Sequence, residues 1–436
     1  MAYLIYAVLA VLAIADTFAL DMSLAPGLSV KNAMVTMVAG VLILQKVMGA
    51  PIRFELRTLH FWFGVLIGYA LFTLLAIVFV IHFPPRYRWI EGVMRLKIDL
   101  IDNVVFFAVA FYGIRTAEEA KTLTRLMLAA LTVMNFVSIG NVIGIFDIGV
   151  NEIGDNGEEA GRVFGTFGHP NGTAALIVTL LPAYVAVAYT RGGLMKYAWL
   201  GGALISTAML ILTASRGALV GLAVGTLWGV ILCREYLNFA YLGRWLIAGI
   251  ALVAILIPLT AILSIGHENV LVDRILTFDI ATGGSGRDVI WRTAVNRMMA
   301  TPLSLITGFG WNAYNAMGYY LAPHNQYLWL WFELGIIGVL SYTLLIRQVV
   351  ATARSALPLA NAVDRQYLIA LVVGLMVLSV SLFFTLLYKP WAYIWMYIGA
   401  TLRLAVVQRR AVTAVTPVKS RAALTMDSSG RGLSAR

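Results

Sequence analysis

Apolar runs of about 17 to 23 residues recur along the chain, separated by short polar breaks. A helix needs about 20 residues to cross a hydrocarbon core, so each run is read as one span. The runs lie near 3–20, 33–48, 61–82, 98–114, 124–146, 172–190, 196–213, 217–233, 244–265, 326–345, 366–387 and 389–405. The pattern predicts an all-α polytopic membrane protein of about twelve transmembrane helices. An even number puts both termini on one side. One polar stretch between spans, residues 266–325, is long, and a loop of that length carries function or structure of its own. Within it, residues 286–300 have helical periodicity, with Ile290, Trp291, Ala294, Val295 and Met298 on one stripe and Pro302 beyond the end. The pattern is that of a basic amphipathic helix lying on the outer leaflet. Residues 1–405 therefore read as a single membrane domain that includes the 266–325 loop. Residues 406–436, polar and Arg-rich, read as a disordered basic cytoplasmic tail. The first run follows Met1-Ala2-Tyr3, which lacks a basic segment, so it reads as an uncleaved span rather than a signal peptide.

Composition agrees with that pattern. Of the 436 residues, 61% are hydrophobic and 12% charged, more apolar surface than a soluble domain can bury. The single Cys233 excludes a disulfide framework and a thiolate metal cluster. The net charge of +11 would fit nucleic acid in a soluble protein; here topology explains it, because Lys and Arg collect on cytoplasmic loops. With both termini inside, 20 of the 32 cations fall on the cytoplasmic side or in the tail, which supports that orientation and puts the long loop in the periplasm.

The outside cations carry the candidate chemistry. Pro84-Pro85-Arg86-Tyr87-Arg88-Trp89, with Arg95 and Lys97, is either an interfacial anchor belt or a contact for an anionic lipid or phosphorylated sugar. Gly161-Arg162 opens a Gly-rich turn that reaches Pro170-Asn171 at a helix start. Arg216 sits in the tight turn Thr213-Ala214-Ser215-Arg216-Gly217, where it is a snorkelling cation or a ligand contact. Arg287 opens the amphipathic helix, and His324-Asn325 marks the point where the long loop re-enters the membrane.

The outside face shows no His-x-x-x-His, paired Cys or carboxylate cluster with metal-ligand spacing, and there is no phosphate-cradling Gly-Lys loop, so no metal and no cofactor is expected. Arginines bind phosphate through bidentate forks and cannot deprotonate, so they can neutralise a departing pyrophosphate. A neutral histidine accepts a hydroxyl proton near neutral pH. Together they suit transfer of a sugar from a lipid pyrophosphate to a hydroxyl; the alternative is a structural loop histidine.

The ordered set Gly161-Arg162, Gly165-Thr166-Phe167, Pro170-Asn171, Ser215-Arg216-Gly217, Gly286-Arg287 with Trp291, Gly308-Phe309-Gly310, and His324-Asn325-Gln326-Tyr327 with Glu333-Leu334-Gly335 resembles the O-antigen ligase superfamily. Lipopolysaccharide O-antigen ligases, O-antigen polymerases and pilin O-oligosaccharyltransferases make up that superfamily. The resemblance covers about residues 160–340 by motif and the whole chain by span count. It implies a GT-C-like, metal-independent glycosyltransferase of the bacterial inner membrane with a periplasmic active site; inversion at the anomeric carbon is the expectation for a single displacement, because no separate nucleophile is seen. The donor would be undecaprenyl-pyrophosphate-linked O-antigen and the acceptor lipid A-core, with membrane lipids around it and no nucleic acid. Arg216 and Arg287 match the family's pyrophosphate-binding arginines and His324 its essential histidine. Arg162, Arg86 and Arg88 are further candidate contacts to donor or acceptor. His169 departs from the pattern, standing where Asn is more usual. Polymerase, protein O-oligosaccharyltransferase and, outside enzymes, a flippase for a polyprenyl-linked glycan are the competing readings.

Overall fold

The computed structural model describes residues 1–20, 22–25, 28–52, 55–81, 87–148, 162–238, 243, 287–319, 322–387 and 390–427, the last of these as backbone alone from 412. The expected span at 244–265, Arg86, Gly161, Gly286 and the first part of the 266–325 loop lie outside the described residues.

The chain is an all-α polytopic membrane protein. Among the described residues, eight helices are long and apolar enough to cross a membrane, and Ala2–Thr17 is a shorter apolar helix. A small antiparallel hairpin, Ser23–Ala25 with Leu28–Ser29, precedes the second long helix. Local signals fix many helix starts. Thr116 and Glu119 form a reciprocal capping box ahead of Ala117–Val142, and Asn361 caps Ala362–Ser381.

The innermost helices are Pro170–Tyr189 and Ala362–Ser381, whose side chains are buried over most of their length. With a helix on every side, neither presents an amphipathic stripe, as expected of a span surrounded by protein. Small residues allow close approach. Gly217, Gly221, Gly225 and Gly229 recur every fourth position along residues 216–233. A Cβ at Gly225 would lie 2.3 Å from the Val377 backbone, and one at Gly229 2.6 Å from that of Val373. Such a small-residue ridge draws two membrane helices together where no hydrophobic driving force exists between them.

Two expectations are revised. The stripe of the amphipathic helix is present, since Ala294 and Met298 are buried on Arg287–Met299. It packs on Tyr314, Leu328 and Phe332 of the same protein, with Trp291 and Val295 beside them, rather than on lipid. The final helix, Pro390–Asp427, also runs past residue 405, where the sequence pattern ends the membrane domain and predicts disorder. The start of the extension is docked: Arg410 joins Arg403, just before it, in pairing with Glu55, and Arg409 donates to the Thr352 carbonyl at 2.9 Å. Charge pattern alone reads these arginines as tail; their partners lie from 57 to 355 positions away.

One helix is broken on purpose. In Gln326–Ala356, Gly335 leaves helical geometry with φ 60° and ψ −163°. The freed carbonyls of Phe332 and Glu333 accept the amides of Phe309 and Gly310, both at 2.8 Å. Gly308, at φ 74°, lies so close that a Cβ there would be 2.1 Å from the Glu333 oxygen; a Cβ at Gly335 would be 2.0 Å from the Ile306 oxygen. The buried Glu333 carboxyl accepts the Asn312 amide at 2.9 Å, and the Trp331 indole donates to Leu305. This interlock seats residues 304–316 in the helix break, and Tyr69 and Tyr87 clamp it from the other side through the carbonyls of Thr307 and Trp311. The loop just N-terminal to His324 is thereby held by the same helix that His324 precedes.

Candidate active site

His324 lies two residues before the Gln326–Ala356 helix, with φ 45°. Left-handed backbone is uncommon for a residue with a side chain and concentrates where the surroundings over-determine the chain. The surroundings do so here. On one side the Trp291 indole donates to the Pro323 carbonyl at 2.7 Å. On the other, the Asn325 side chain caps the helix by accepting the amides of Tyr327 and Leu328, each at 3.0 Å. The Gln326 amide then donates to the Leu382 carbonyl at 2.8 Å.

The turn at 382–384 gathers three elements. Besides Gln326 it receives Arg287, whose Nη1 donates to the Phe384 carbonyl at 3.0 Å. Gly217 packs on the Phe384 side chain, so closely that a Cβ there would be 2.3 Å away. The neighbour of Gly217 is Arg216, half-buried, for which the structure gives no hydrogen bond or ion pair among the described residues.

Arg162 forms the third side. It is buried; its Nε donates to the Thr213 carbonyl at 2.9 Å and its Nη2 to Asn171 Oδ1 at 2.7 Å. Asn171 Oδ1 also accepts the Ser215 hydroxyl at 2.9 Å. The turn carrying Arg216 and the turn carrying Arg162 are therefore one hydrogen-bonded unit. His169 ends the Gly-rich turn and caps Pro170–Tyr189 by accepting the Gly172 amide at its Nδ1, 3.4 Å away. Its ring stacks on His324, centroids 5.7 Å apart and planes 26° from parallel.

Among the described residues, the charges that act on the two imidazoles are cationic. Burial first, then the nearby guanidinium groups of Arg287 and Arg162, press the pKa of His324 down to about 4. His169 is pressed down to about 4 by burial, by His324, and by Arg162 and Arg287. Both imidazoles are neutral at physiological pH beside the buried Arg162 and the half-buried Arg287, an arrangement complementary to an incoming polyanion.

Among the sequence candidates, the structure brings His324, Arg287 and Arg162 into one electrostatic cluster and joins Arg216 to it through Ser215 and Phe384. Arg88 stands apart, exposed and ion-paired with Glu91. A small pocket of about 60 Å³ opens on the other flank of the junction, where Pro323 and Gln326 are joined by Arg95, Asp99, Asn315 and Trp329. Sequence reasoning passed over Asn171 and Ser215 as linking residues and left His169 without a role; the cap-forming Pro-Asn pair after His169 was the available signal. Among the described residues no group of three His, Cys, Asp or Glu has the geometry to hold a metal ion.

A family model described as O-antigen ligase matches residues 201–343. Comparison with curated proteins gives no match. The matched segment contains the Arg216 turn, the Arg287 helix, the interlocked 304–316 segment and the His324 junction. Over these residues the chain is similar to the O-antigen ligase family, which supports membership of that superfamily.

Proposed function

We propose that the protein is an O-antigen ligase of the bacterial inner membrane, a GT-C-like glycosyltransferase with about twelve spans and both termini in the cytoplasm. It would move O-antigen polysaccharide from undecaprenyl pyrophosphate to lipid A-core on the periplasmic face. The observation that carries the reading is the convergence of His324, a neutral imidazole on constrained backbone, with Arg287 and Arg162 and with the adjoining Arg216.

In this mechanism the arginines bind the donor pyrophosphate. His324 takes the proton of the acceptor hydroxyl as its oxygen bonds to the anomeric carbon. The bond from that carbon to the pyrophosphate oxygen breaks, and its electron pair leaves as undecaprenyl pyrophosphate, stabilised by guanidinium groups. One displacement with no enzyme nucleophile inverts the anomeric centre. Developing charge is met by arginine in place of a divalent cation.

The test is transfer by purified protein. Glycan is expected on lipid A-core, with no lengthening of the lipid-linked donor when lipid A-core is left out. Donor chains that grow alone would make it a polymerase; glycan only on a supplied pilin would make it a protein O-oligosaccharyltransferase; no transfer with active donor movement across a bilayer would make it a flippase.

Arg216→Lys and Arg287→Lys are each expected to lower kcat/KM by about 10- to 100-fold at retained charge, because a point ammonium cannot replace a bidentate fork. Activity within twofold of wild type in both variants would remove pyrophosphate binding from these residues.

A further inference from the structure

His169 has no place in the mechanism above, yet it lies against the residue that mechanism depends on. We propose that His169 is a positioning residue for His324: a ring locked by its helix cap, which holds the His324 imidazole flat against it and keeps water off that face. The inference rests on the reading of His324 as the base.

Three observations carry it. The first is the lock. The Gly172 amide donates to Nδ1, so Nδ1 carries no proton and the neutral ring holds its proton on Nε2. Tautomer and ring orientation are both set by the cap, a role otherwise filled by a carboxylate or a carbonyl behind a functional histidine. The second is the stack, 5.7 Å between centroids at 26°. His324 is held by its neighbours on the backbone, through Pro323 and Asn325, but its side chain needs a surface to stop rotation about χ1 and χ2. The His169 ring is that surface. The third is the surrounding charge. Among the described residues, the groups that act on the pair are Arg162 on the Gly-rich turn and Arg287 on its helix, together with the N-terminus of Pro170–Tyr189 itself; Asn171, Thr173 and Ser215 beside them are neutral. Nothing in that set favours a protonated pair, so the stacked rings stay neutral together.

A shorter capping residue would keep the helix start and remove the surface. Asn is among the best caps, so His169→Asn separates the two roles. In protein carrying ¹³C-labelled histidine, the His324 resonance, assigned with His324→Gln, is expected to titrate about one unit higher in His169→Asn than in wild type, because water reaches the uncovered ring face. The acid limb of kcat/KM is expected to move up by the same amount, with KM for donor changed less than kcat. His169→Ser, which also caps, is the second variant and is expected to behave alike.

An unchanged His324 titration in either folded variant would overturn the proposal and leave His169 a cap alone. An upward shift in a protein that transfers no glycan would sustain the positioning and sink the ligase reading. Wild-type transfer by His324→Gln would sink the base assignment independently of His169.

Discussion

His324→Ala is expected to reduce glycan transfer by about 10²- to 10⁴-fold, the usual contribution of a general base, while the protein still inserts and folds. Folding should survive because the imidazole is not a structural bolt. The junction is fixed by the Trp291 bond to Pro323, the Asn325 cap and the Gln326 bond to Leu382, and all three remain in the variant. Alanine at φ 45° adds only modest backbone strain. The comparison is initial rate per unit of folded protein, monitored by size-exclusion elution in detergent; turnover within a fewfold of wild type would return His324 to a structural role.

The pH profile supplies the second half of the same test. Burial and the two arginines hold His324 down to about 4, so in the free enzyme it is a competent proton acceptor throughout the neutral range. A base with so low a pKa has weak driving force. On the proposed function, donor binding would correct this: a pyrophosphate anion set among Arg287 and Arg162 would offset the part of the depression that those cations cause and move the His324 pKa back up. The acid limb of kcat, which reports the complex, is therefore expected at higher pH than the acid limb of kcat/KM, which reports the free enzyme. Coincident limbs would mean that the arginines near His324 do not meet the donor's charge.

The second large effect lies away from the chemistry. Gly335→Ala is expected to abolish most transfer and to lower thermal stability. A side chain at Gly335 meets φ 60° and ψ −163°, a region open essentially to glycine alone, at about 1–3 kcal/mol of strain. Its Cβ would also lie 2.0 Å from the Ile306 carbonyl oxygen, which is backbone and cannot rotate away. Relief requires residues 306–310 to leave the helix break. That move would strip the Phe309 and Gly310 amides of their partners and release the segment that Tyr69, Tyr87 and Trp331 hold in place. Gly201→Ala is the control: nothing lies within 4 Å of its Cβ, and alanine is the better helix former. A melting temperature and rate for Gly335→Ala equal to those of the control would show that the interlock does not support the site.

How much of this could be read along the chain differs by element. The amphipathic helix was legible down to its stripe, because burial of Ala294 and Met298 follows a local period of 3.6. What that stripe faces was not legible: lipid and a protein groove select the same residues. The glycine ridge at 217, 221, 225 and 229 is plain in the sequence once its spacing is counted, but its partner, the helix around Val373 and Val377, is named only by the packing. Glu333-Leu334-Gly335 could be seen as a motif, whereas the loop that threads into it could not.

The sequence by itself determined the class of protein, the position of many of its apolar helices, and the residue types that its outer loops offer. Each of these is a local property, set by hydropathy over one turn or one span. Tertiary structure alone decided which of those residues form a site. Arg287 meets the turn at Phe384 across 97 positions, Arg162 meets Thr213 across 51, and the imidazoles of His169 and His324 stack although they lie far apart in the chain. Such contacts depend on how buried helices pack, and packing is settled by shape and close approach among many residues at once, which no local period encodes. For the same reason one cation motif, Arg162, became part of the cluster, while another, Arg88, equally conspicuous in the sequence, was left paired at the surface.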